Sequence, residues 1–146
     1  MAYTNALSAY KETRIRTASQ GQLIVMLYDE AVKQLDRGLE LLSLNKSDKH
    51  DPSRIEIIGK AIIKAREIIT ELMVSLDFEQ GGEIAQNLFA LYTWFNKELL
   101  EAHMSMNIER IKEVKIQLDD LRGAWAEIAA KTSAEGHFVE GVNIAG

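Results

Sequence analysis

Ile111, Val114, Leu118, Leu121, Trp125 and Ile128 alternate spacings of three and four without a miss. That period puts all six on one side of an α-helix and defines the seam of a helical bundle. Three more stretches carry stripes of the same kind. Leu27, Ala31, Leu35, Gly38 and Leu42 form the first, with Asp29, Lys33, Asp36, Arg37 and Glu40 opposite them. Ile58, Ala61, Ile62, Ala65, Ile68, Ile69, Leu72 and Leu76 form the second. Ile84, Leu88, Leu91, Tyr92, Phe95 and Leu99 form the third. Strand-type alternation nowhere lasts long enough to compete.

The punctuation agrees with four helices. Ser19 and Gln22 fit a capping box at the start of the first. Asp51-Pro52 opens the second, with aspartate as cap and the chain's single proline at the first helical position, where a missing amide costs nothing. Gly81-Gly82 is expected to break the chain before the third helix, which stops near Ser105, and Asn107 is a candidate cap for the fourth. Short connections between such stretches predict an all-α, antiparallel four-helix bundle over residues 19–131. Residues 1–18, with Tyr3, Leu7 and Tyr10, read as an N-terminal arm. Residues 132–146, small, polar and glycine-rich, read as a flexible tail.

Composition narrows the function by exclusion. The chain has 146 residues, 47% of them hydrophobic, which is enough for one core without staples. It has no cysteine, so nothing asks for an oxidising compartment. Met1 leads into Ala2-Tyr3-Thr4-Asn5 with no basic stretch before an apolar run, so no secretory signal is expected. The longest wholly apolar run, Leu23 to Tyr28, falls far short of the ~20 residues that cross a bilayer. Cytoplasmic localisation and no membrane insertion are the expectations. Net charge is −5 and the 17 Lys and Arg are dispersed among acids, which argues against nucleic acid as a partner.

Catalytic and metal chemistry find no constellation. A di-iron bundle needs Glu-x-x-His on two helices. Leu100 precedes His103 at that spacing, Ser47 precedes His50 and Ala134 precedes His137. His103 is followed by Met104-Ser105-Met106, which offers no cation to hold a transferred phosphate. It reads as a cation near a helix C-terminus. Asp119-Asp120 faces solvent opposite the seam. No enzyme and no cofactor are expected.

Several apolar residues are surplus to the four stripes. Phe89 and Leu100 fall beside the stripe of the third helix. Ile63 and Val74 share a line on the far side of the second, and Ile116 sits off the seam of the fourth. Leu23 to Leu27 are apolar all round, so Leu23, Val25 and Met26 lie off the seam. Single exposed hydrophobes are ordinary. Together they suggest a second apolar surface for a partner, either another copy of the chain or an amphipathic client helix laid in a groove.

Ala9-Tyr10, Thr17-Ala18-Ser19, Leu23-Ile24-Val25-Met26-Leu27-Tyr28-Asp29, Ser75-Leu76-Asp77, Gly81-Gly82-Glu83-Ile84-Ala85-Gln86-Asn87-Leu88, Leu91-Tyr92 and Ala124-Trp125 together resemble the flagellar secretion chaperone FliS family, in order and spacing, over roughly residues 6–130. Gln20 stands where that family usually has proline, Glu30 where it has glycine and His103 where asparagine is common. The resemblance implies a cytoplasmic export chaperone. Such a protein binds the disordered C-terminal segment of flagellin, blocks premature polymerisation and presents the subunit to the export gate of the flagellar type III apparatus. It also implies that the arm bearing Tyr10 covers part of the site when no client is present. The candidate flagellin-binding residues are Leu7, Tyr10, Leu23, Val25, Met26, Phe89 and Leu100. A generic helical adaptor, or a homodimer or larger homo-oligomer hiding the same surface against itself, is the alternative.

Overall fold

A computed structural model describes residues 20–45 and 51–145, with side chains for 21–45 and 51–131. Four helices follow one another: α1, Gln20–Leu44; α2, Pro52–Val74; α3, Phe78–Ser105; and α4, Ile108–Ala145. No strand occurs among the described residues.

Side chains close most of the described ends. Asp51 Oδ1 accepts from the Ser53 amide at 2.8 Å, with Pro52 in the first turn of α2. Across the same corner, Arg54 Nη1 donates to the carbonyls of Leu42 (3.1 Å) and Asn45 (2.7 Å) at the end of α1. Met106, at φ 54°, terminates α3 in the left-handed region. Asn107 Oδ1 then accepts from the Arg110 amide at 3.3 Å and caps α4 as its sequence position predicts. The Ser19 cap lies outside the described residues.

Around the bundle, α1 packs on α2 and α4, and α3 packs on α2 and α4. Two ion pairs report the direction of α4 against α1. Asp29 pairs with Arg122 at 3.4 Å and Asp36 with Lys115 at 2.7 Å. Seven residues forward on α1 match seven backward on α4, so the helices are antiparallel and in fixed register. On the other side of α1, a Cβ built at Gly38 would stand 2.5 Å from Ala61 Cβ. The two backbones approach so closely there that only glycine fits without a shift. The stripes of α1 and α2 are buried as their period predicts, except that Leu76, beyond the end of α2, is half-buried.

Expectations about α3 and α4 need correction. Gly81-Gly82 does not end a helix. Asp77 Oδ1 accepts from the amides of Glu79 and Gln80 (3.0 and 3.1 Å) and starts α3 one turn earlier, and Gly82, at φ 50°, kinks it. Ile84 follows that kink before α3 settles into the bundle. It is 69% exposed, while Ala85 takes the inward place. Further along α4, Ile128 is 51% exposed and Ala129 is buried instead. A 3.5-residue repeat on a straight helix drifts by roughly 20° per heptad. By residue 128 that drift has carried the seam off the core, and Ala129 is back in line with Ile111. The backbone of α4 is helical through Ala145. No proline stops it, and each interior glycine costs only about 1 kcal/mol.

Candidate functional site

Of the residues singled out in the sequence, Leu7 and Tyr10 lie outside the described residues. Leu23 is 4% exposed and belongs to the core, which corrects its reading as a surface contact. A run that is apolar on every side carries no signal for which side faces in, and α1 turns Leu23 inward. Val25 and Met26 are half-buried on α1. As consecutive residues they leave the helix about 100° apart. Phe89 and Leu100 are exposed, at 44% and 40%. α1 and α3 are diagonal in the bundle, and the groove that they share near the α2–α3 turn is lined by none of these candidates.

The α3 pair belongs instead with residues of α2. Phe89 and Leu100 are eleven residues apart, three turns, which places them on one line about 16 Å long. Ile63 and Val74 have the same spacing on α2 and are 52% and 74% exposed. The register of the two helices comes from contacts across their seam. A Cβ at Gly59 would meet His103 Nε2 at 3.2 Å. Asn96 Nδ2 donates to Met73 Sδ at 3.7 Å. The two contacts differ by seven residues in register, and between those limits antiparallel helices set Ile63 near Leu100 and Val74 near Phe89, on either side of the seam. The outcome is a shallow groove with an aliphatic bank on α2 and a mixed bank on α3. Its floor carries Arg66, Met73 and Asn96. The kink at Gly82 extends the α3 bank by folding Phe78 back onto Phe89, edge to face, with ring centroids 5.9 Å apart. Sequence reasoning found both lines but not their pairing, because the register between two helices is written in no single stripe.

A second apolar groove, of about 360 Å³, opens at the α2–α3 turn and is lined by Ile24, Leu76, Ile84, Leu88, Tyr92 and Trp125 among others. Beneath it the phenols of Tyr28 and Tyr92 are hydrogen-bonded to each other, and the Trp125 indole donates to Tyr28. Burial pushes both phenols above the ordinary tyrosine range, and at Tyr28 the neighbouring Tyr92 adds to the rise. These hydroxyls are donors and acceptors in the core, with no acid–base role near neutral pH. Among the described residues, no three His, Cys, Asp or Glu come together as metal ligands, and no helix is long and apolar enough to cross a membrane.

The fold is a helical bundle with a filled core and apolar lines left exposed on its outside. Residues 3–132 match the family model described as Flagellar protein FliS, and the chain belongs to that family. It is 37% identical to the flagellar secretion chaperone FliS of Salmonella typhimurium over 123 residues, 84% of this chain and 85% of the relative. The namesake chaperone of Escherichia coli is 34% identical over 117 residues, 80% of each chain. That of Bacillus subtilis is 24% identical over 142 residues, 97% of this chain and 99% of the relative. The family is one of flagellar secretion chaperones, not of enzymes.

Proposed function

We propose that this chaperone binds the disordered C-terminal segment of flagellin in the cytoplasm. By doing so it prevents premature polymerisation and delivers the subunit to the export gate of the flagellar type III apparatus. The observation that carries this reading is the α2/α3 groove, where Ile63 and Val74 face Leu100 and Phe89 across one seam, all of them exposed. An amphipathic segment laid there covers both apolar banks at once and becomes helical as it docks. Phe89 and Leu100 are direct contacts in this account. Val25 and Met26, on another face, serve a chain that wraps further round the bundle. Leu7 and Tyr10, on the arm, compete for apolar surface when no client is present.

Sizing by light scattering, with and without a peptide of the flagellin C-terminal segment, tests the reading. The expected result is a one-to-one complex. A stable homodimer that ignores the peptide would mean that the same lines pair with a second copy.

A further inference from the structure

The floor of the α2/α3 groove is unfinished. Arg66 Nε and Asn96 Oδ1 are buried atoms with no hydrogen-bond partner among the described residues. One is an obligate donor and the other an acceptor. They sit on facing helices. Arg66 lies between Gly59 and Met73 on α2, and His103 and Asn96 are the α3 partners of those two residues, so Arg66 and Asn96 share one stretch of the seam. That stretch falls between the Ile63–Leu100 and Val74–Phe89 pairs, nearer the first. Arg66 has no carboxylate within ion-pair distance among the described residues, unlike Arg110 and Arg122. Both side chains are only half-buried as wholes, so each can turn its polar end toward a chain lying in the groove.

An unmet buried donor or acceptor is costly and in native folds is generally satisfied by something. Here the two unmet atoms have opposite sense and share one floor under paired apolar banks. Resting on the flagellin reading above, we infer that Arg66 and Asn96 are specificity residues of the groove. They receive an amide group of the client, with Arg66 Nε–H donating to its oxygen and Asn96 Oδ1 accepting from its N–H. The apolar banks supply affinity for any amphipathic segment. The polar floor selects one that places a free amide between its two apolar anchors, and it rejects a fully helical, all-aliphatic segment, which would leave both atoms unpaired. The amide comes either from an Asn or Gln side chain or from the backbone of a stretch not yet helical.

Asn96→Leu and Arg66→Met separate this role from a structural one. Each removes an unmet polar atom, so the fold is expected to keep or raise its Tm. Calorimetric Kd for the flagellin C-terminal peptide is expected to weaken by about tenfold, the usual scale for losing a hydrogen bond to a charged or buried group. A merely structural pair would leave Kd unchanged while Tm rises, and that result overturns the inference but leaves the flagellin reading standing. Should wild type fail to bind the peptide, both fall. The client side supplies a check that needs no change in the chaperone. Loss of affinity on changing the peptide's Asn and Gln to Ala assigns the amide to a side chain. Retained affinity for that peptide, with loss in both chaperone variants, assigns it to the backbone.

Discussion

Tyr28 on α1 and Tyr92 on α3 meet through their hydroxyl oxygens, 2.5 Å apart, across the diagonal of the bundle. Neither helix is a neighbour of the other in the packing ring, so this bond ties together two elements that do not pack side by side. Both rings are essentially fully buried. Tyr28 has a second partner in Trp125, whereas Tyr92 relies on Tyr28.

The two single substitutions are therefore unequal. Tyr28→Phe strands the Tyr92 hydroxyl and is expected to cost about 1–3 kcal/mol, the penalty of an unmet buried polar group. Tyr92→Phe leaves Tyr28 bonded to Trp125 and is expected to cost less. Denaturant melts of the two proteins measure the difference, and an equal or reversed order contradicts the network.

Alkaline pH reads the same pair. Both folded-state pKa values are raised, with the unfolded reference near 10.0. Above that reference the unfolded chain gives up protons that the fold retains, so its free energy drops relative to the fold. The tyrosine contribution is fully present below about pH 10 and is lost progressively as pH rises beyond it. The double variant Tyr28→Phe/Tyr92→Phe is expected to show a shallower loss of Tm between neutral and strongly alkaline buffers than wild type. Identical slopes would mean that the phenols titrate alike in both states.

Gly38 is expected to resist even alanine. In an open helix that change gains about 1 kcal/mol of propensity. Here the new methyl would stand 2.5 Å from Ala61 Cβ, with no flexible side chain to yield. Overpacking of that kind costs about 1–3 kcal/mol, so Gly38→Ala is expected to lower Tm. A rise in Tm would show that α1 and α2 can part freely.

The inward faces of α1 and α2 were legible because their stripes keep the helical period over most of each helix. Legibility failed where periodicity carried no information about direction or register. Leu23 sits in a run that is apolar on all sides, and only its packing shows which side is inside. Ile128 follows a 3.5-residue period that a straight helix cannot keep for so long. Ile84 is displaced by the kink at Gly82, which looks like a break in the sequence but is spanned by a cap at Asp77. The candidate site was half legible. Ile63 with Val74, and Phe89 with Leu100, stand out as lines, but their opposition depends on how α2 and α3 slide against each other. The unmet atoms of Arg66 and Asn96 leave no trace in the sequence at all.

The central claim, that the α2/α3 groove holds the flagellin C-terminal segment, is tested most directly by calorimetric titration of that peptide into wild type and into Phe89→Glu. The account predicts one-to-one binding with a negative heat-capacity change and weak salt dependence, as burial of apolar surface requires. It predicts that Phe89→Glu, at an exposed position, keeps the wild-type melt and weakens Kd by about tenfold or more. Binding to the variant as tight as to wild type, or no binding to wild type at all, would contradict it.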